Sequence, residues 1–202
     1  MWLGLVLMAA IVAGLFRTGK ARECLTFSTY VTLATVFLTL ILLWPSHYGP
    51  EEYMVKQGIY DSLLLGMAIE LSVKVFAAFR GVARRVRALL ALAVIASTSA
   101  IFILTPSGVS YAEMLPYQAG ITTAGVWCLS FVALLIVWYQ IPVPAFTRAI
   151  LLGYVPYAVV FVIYADLIGR LGWGAIDGLN VLNAAAYDTV AAYWAFTAWR
   201  KG

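Results

Sequence analysis

An acid and a base lie one helical turn apart inside a strongly apolar stretch of this sequence. Glu70 precedes Lys74 by four residues, and the surrounding segment, from about Gly58 to Phe79, is long enough to cross a lipid bilayer. Ionisable side chains at membrane depth are costly, so they indicate a structural or functional need. The spacing predicts that the two side chains pair on one face of a helix.

The last apolar segment carries polar residues at a matching depth. Asn183 and Tyr187 recur at helical spacing, and Asp188 widens the same face. If this helix touches the helix of Glu70, the two carboxylates share Lys74, and one negative charge remains in excess. These five residues are the candidate intramembrane polar cluster.

Two further acids are candidates on the outer side. Asp61 is nine residues before Glu70, which places it on the opposite side of that helix and near the outer rim, so it needs a different partner. Asp166 lies near the outer end of the sixth apolar segment. Asp166 is expected to extend hydrogen bonding outward from the cluster.

The polar cluster has two interpretations. In the structural one, the charges neutralise one another and fix which helix packs on which. In the functional one, Glu70 or Asp188 changes its protonation state or binds an ion or ligand, because ionisable residues inside a membrane are functional candidates by default.

The composition identifies a membrane protein and excludes several other classes. The 202-residue chain is 64% hydrophobic and 11% charged, whereas soluble domains are roughly 45–50% apolar and about 25% charged. The net charge of +4 comes from basic residues beside apolar segments, which is the pattern of membrane topology and not of nucleic-acid binding. One histidine and two widely separated cysteines predict no metal site and no cofactor.

Seven apolar segments predict one all-α transmembrane domain, spanning residues 1–202, that is a bundle of seven helices. The segments lie at about 2–16, 26–44, 58–79, 88–105, 117–139, 148–169 and 179–199. The first is short and resembles the apolar core of a signal peptide, but its positive charges follow it, so it is expected to be a retained helix.

The distribution of lysine and arginine predicts the orientation. Alternate connections and the C-terminal end hold Arg17, Lys20, Arg22, Arg80, Arg84, Arg85, Arg87, Arg148, Arg200 and Lys201. By the positive-inside rule this side is cytoplasmic, so the N-terminus is outside and the C-terminus inside. The cluster Arg80, Arg84, Arg85 and Arg87 also predicts contact with anionic lipid head groups.

Two stretches carry a resemblance to known proteins: IYDSLLLGMAIELSVKVFAAFRGVARRVRALL and GLNVLNAAAYDTVAAYWAFTAWRK. In both, the chain resembles a group of uncharacterised bacterial seven-helix membrane proteins, and the architecture is similar to the membrane input modules of bacterial sensor proteins. The resemblance implies a fold and a location in the bacterial cytoplasmic (inner) membrane, and it implies no activity.

The motifs of common enzyme classes are absent from the sequence. We therefore expect a non-enzymatic, multi-pass membrane protein that acts through other membrane subunits, as an accessory subunit or a sensor-like module, with lipids as its surroundings. A small proton- or ion-coupled transporter with a site at mid-depth is the alternative, and an enzyme acting on lipid is a third.

Overall fold

The computed structural model describes residues 2–45, 49–76, 92, 111–171 and 176–200. Regular structure in these ranges is helical and contains no strand, which confirms the all-α class. The helices are α1 (Trp2–Thr18), α2 (Leu25–Leu43), α3 (Pro50–Phe76), α4 (Tyr111–Trp138), α5 (Ala145–Leu171) and α6 (Ile176–Trp199), with a 3-10 turn at Lys20–Arg22. The predicted segment 88–105 lies outside the described residues, apart from residue 92.

One described helix is long and apolar enough to cross a membrane. It is α2, Leu25–Leu43, and shorter apolar stretches occupy Trp2–Thr18, Thr123–Trp138 and Ala145–Phe161. The chain is therefore a helical protein with one candidate membrane-spanning helix among the residues that the structure describes.

Helix α3 begins at Pro50, earlier than the predicted start at residue 58, because capping rather than hydropathy determines where the helix starts. Pro50 occupies the first helical position, where its missing N–H costs nothing. The backbone N–H of Gly49 donates to Oε2 of Glu52 at 2.9 Å, as in half of a capping box. The negative charge of Glu52 also interacts favourably with the positive end of the helix dipole.

Contacts divide the chain into two units. The terminal unit, Met1–Leu43 with Pro144–Gly202, contains α1, α2, α5 and α6. The central unit, Trp44–Val143, contains α3 and α4.

In the terminal unit, α1 and α6 run in the same direction. A Cβ on Gly4 would lie 3.3 Å from Oδ1 of Asp188. Further along both helices, the hydroxyl of Thr18 donates to the carbonyl of Ala198 at 3.2 Å. Helices α1 and α6 are therefore parallel along this contact.

Helices α2 and α5 also run in the same direction. The ring of Phe27, near the start of α2, lies 5.7 Å from the ring of Phe146 at the start of α5. Further along both helices, the rings of Tyr30 and Tyr154 are 6.3 Å apart.

The core of the terminal unit is built around Trp194, which is fully buried. Its indole Nε1 donates to the carbonyl of Ala149 at 3.1 Å, and its ring packs edge-on against Phe27 at 5.0 Å. The start of α5 meets this part of α6, whereas Tyr164 near the other end of α5 donates to Asn180. Helices α5 and α6 are therefore antiparallel.

The central unit is held by an apolar stripe on α3. Leu64, Met67, Leu71 and Val75 are buried and recur at helical spacing. Gly125 of α4 allows a close approach, because a Cβ there would lie 2.8 Å from Leu64.

Candidate functional site

The structure contains the ion pair that the spacing predicts on α3. Nζ of Lys74 lies 2.8 Å from Oε1 of Glu70, and the two side chains are 34% and 20% exposed. The contact needs no other element, because residues four apart are neighbours on a helix. The pair lies in the central unit beside the buried residues Leu71 and Val75.

Asp61 is buried in the central unit, where it is 7% exposed. The amide Nε2 of Gln57, one turn earlier on α3, donates to Oδ1 of Asp61 at 3.4 Å. This contact within the helix gives the carboxylate a polar neighbour, as a buried acid requires. The side chain of Asp166 and the cluster Arg80, Arg84, Arg85 and Arg87 lie outside the described part of the chain.

Tyr187 joins three helices of the terminal unit. Its hydroxyl lies 3.3 Å from the hydroxyl of Tyr30 on α2 and 3.6 Å from the sulfur of Met8 on α1. Its ring lies 5.2 Å from the ring of Tyr157 on α5. Asn183, one turn earlier, has a buried Oδ1 that accepts no hydrogen bond from a described residue.

Asp188 lies at the midpoint of α6 and faces α1 at Gly4. It is partly buried, and no described residue forms an ion pair or a hydrogen bond with its carboxylate. Asp188 belongs to the terminal unit and the Glu70–Lys74 pair to the central unit, so the bridge between all three stays a prediction.

Sequence reasoning missed the role of Lys20. Its Nζ donates to the carbonyl of Thr197 at 2.8 Å and to the carbonyl of Arg200, at the C-terminal end of α6. A cation at this position satisfies carbonyls that have no partner within the helix and interacts favourably with the helix dipole. Lys20, which follows α1, therefore binds the C-terminal end of α6. The count of basic residues in the sequence does not predict this contact.

Among the described residues, no group of three or more His, Cys, Asp or Glu side chains could hold a metal ion. No protein-family model matches the chain, and neither a curated protein nor a solved structure is significantly similar to it.

Proposed function

We propose that this chain is a seven-helix protein of the bacterial cytoplasmic membrane that acts through other membrane proteins, as an accessory subunit or a sensor-like module. The observation that carries the proposal is the direction of the helices in the terminal unit, which agrees with seven crossings.

Successive membrane crossings alternate in direction. Because α2 and α5 run in the same direction, an odd number of crossings must separate them. Helices α3 and α4 account for two, and the apolar segment that the sequence places at about 88–105 is the candidate for the third. This parity supports a crossing by the segment at about 88–105, as seven crossings require, and disfavours an arrangement in which only α3 and α4 cross between α2 and α5.

The surface of α2 favours a lipid environment. Only 28% of its most apolar stretch is buried, whereas the core helix of a soluble protein is mostly buried. Val36, Leu40 and Leu43 are exposed. Apolar surface of this kind is stable against lipid tails and unfavourable against water.

Basic residues collect at one end of the terminal unit, which supports the proposed orientation. The guanidinium of Arg17 lies 5.4 Å from the ring of Trp199 at the end of α6. Nζ of Lys20 lies 5.9 Å from the ring of Phe146, close to Arg148 at the start of α5. By the positive-inside rule this end is cytoplasmic.

The exposed face of α4 favours a protein partner. Trp127 is 72% exposed near the middle of the helix, and no described residue accepts a hydrogen bond from its indole. Trp138 is 76% exposed but lies at the helix end, where an indole reaches water or head groups. An acceptor from a neighbouring membrane helix would satisfy Trp127 at mid-depth.

Purification after mild detergent extraction tests the proposal. A partner should be recovered with the intact chain and reduced by Trp127→Ala, whereas Trp138→Ala should retain it. Recovery of the chain alone from both the intact protein and the control would contradict action through a stable partner.

A proton- or ion-coupled transporter is the second candidate, because Asp188 has no partner among the described residues and Oδ1 of Asn183 is buried without one. Reconstitution into liposomes containing a pH-sensitive dye tests it. A flux that Asp188→Asn abolishes would support transport, and the absence of flux would remove this candidate.

A further inference from the structure

The guanidinium of Arg17 is held against the ring of Trp199, 5.4 Å from its centre, in a cation–π contact between α1 and α6. The ring is itself fixed on α1. Its Nε1 donates to the carbonyl of Ala10 at 2.9 Å, and a Cβ on Gly14 would lie 2.9 Å from it. Stacking engages only the face of a guanidinium, so the N–H donors around its edge remain available to an anion.

Positive charge is in excess around this contact. No carboxylate of a described residue forms an ion pair with Arg17, whose side chain is exposed. The segments that meet at this end of the terminal unit, 16–25, 144–148 and 196–200, carry five basic side chains and one acidic side chain, that of Glu23. The basic ones are Arg17, Lys20, Arg22, Arg148 and Arg200. This end of the unit therefore attracts anions.

The C-terminal end of α6 does not oppose an anion here. The last carbonyls of a helix carry partial negative charge, which repels a phosphate. The ammonium of Lys20 binds two of these carbonyls, those of Thr197 and Arg200. Lys20 thus offsets the repulsion beside the Arg17–Trp199 contact.

Apolar surface extends from Arg17 along α1. Val6, Ala13 and Arg17 are exposed and lie on one side of the helix, because their spacing is about two turns and then one. On α6, Phe196 is 65% exposed about one turn before Trp199. Val6 and Arg17 are about 16 Å apart along the helix axis, close to one leaflet of the hydrocarbon core, roughly 15 Å. An acyl chain would cover this surface, whereas free phosphate would leave it uncovered.

We propose that Arg17 and Trp199 form a binding site for an anionic phospholipid of the inner leaflet, with the phosphate on the guanidinium and an acyl chain along the exposed side of α1. The proposal rests on the membrane assignment and orientation above. A guanidinium binds two phosphate oxygens at once. A zwitterionic lipid offers the same phosphate, but its cationic group is unfavourable beside five basic side chains.

Native mass spectrometry of the purified protein in detergent tests the site, with phosphatidylglycerol as the anionic lipid and phosphatidylcholine as the zwitterionic one. The intact protein should bind phosphatidylglycerol more tightly, in about 0.15 M ammonium acetate, which screens distant charges. Arg17→Gln should weaken this binding by roughly tenfold, because charge-assisted hydrogen bonds are lost. Arg17→Lys should also weaken it, because an ammonium keeps the charge but lacks the planar fork.

Arg22→Gln is the matched control, because it removes the same charge from an exposed side chain at the same end. It should change the affinity by less than about twofold at this salt concentration. Equal losses in Arg17→Gln and Arg22→Gln, or full binding by Arg17→Lys, would show diffuse attraction and overturn the site. Equal binding of the two lipids, or displacement of phosphatidylglycerol by inorganic phosphate, would overturn the choice of an anionic lipid.

Extraction with alkaline carbonate separates this proposal from the proposed function. If carbonate releases the chain from the membrane, the membrane assignment fails. If the chain stays in the membrane and Arg17→Gln binds phosphatidylglycerol as the intact protein does, the assignment stands and the lipid site is refuted.

Discussion

Replacing Gly153 with alanine is expected to destabilise the terminal unit, because no space exists for the added methyl group. A Cβ at this position would lie 2.5 Å from Nε1 of Trp194 and 2.9 Å from Cγ1 of Val190. The indole cannot shift freely, because it is fully buried and its Nε1 donates to Ala149. The variant must therefore displace the largest side chain of the core.

The expected loss combines two effects. Overpacking a close-packed core costs about 1–3 kcal/mol, and weakening the indole hydrogen bond costs about 0.6–2 kcal/mol in a membrane bundle. The greater helix propensity of alanine offsets roughly 0.5–1 kcal/mol. We expect Gly153→Ala to lower the free energy of unfolding by about 1–4 kcal/mol.

Unfolding of the purified protein in mixed micelles with increasing SDS measures this change. Gly178→Ala is the control, because it makes the same chemical change where nothing lies within 4 Å. Trp194→Phe should destabilise the protein alone but reduce the additional effect of Gly153→Ala, since the smaller ring leaves space. Equal stability of Gly153→Ala and Gly178→Ala would refute the packing argument.

The same unfolding assay tests three further variants. Lys20→Gln should cost about 1 kcal/mol, because two carbonyls at the end of α6 lose a charged donor; no change would show that the contact is only a surface one. Lys74→Gln should cost about 1–3 kcal/mol and the added change Glu70→Gln should recover part of it, because the single variant leaves an uncompensated carboxylate; additive losses would argue against the pair. Tyr187→Phe should cost about 0.6 kcal/mol by removing the hydroxyl contact with Tyr30, and a loss several times larger would mean that more than this contact depends on the hydroxyl.

Local features of the site follow from the sequence. The contact between Glu70 and Lys74 depends only on their spacing along one helix, so sequence was sufficient to predict it. The all-α class likewise follows from apolar segments of helical length.

Contacts between helices could not be predicted in the same way. Almost every residue of α1 is apolar, so hydropathy does not distinguish the face carrying Gly4, Met8, Ile11 and Leu15, which the structure buries. The register between α1 and α6, which sets Gly4 against Asp188 and Gly14 against Ala198, depends on how side chains interlock. It is visible only once the helices are packed.

The central claim is that the segment at about 88–105 crosses the membrane between α3 and α4. The most direct test is the accessibility of cysteines placed after α2 and at the start of α5. Trp44→Cys and Ala145→Cys would each be made in a chain that also carries Cys24→Ala and Cys128→Ala. Cells with a permeabilised outer membrane and an intact inner membrane, called intact cells below, would then be treated with a membrane-impermeant maleimide. Seven crossings predict labelling at position 44 in intact cells and at position 145 only after the inner membrane is opened. Labelling of both positions in intact cells would mean that the segment at about 88–105 does not cross, and it would contradict the account.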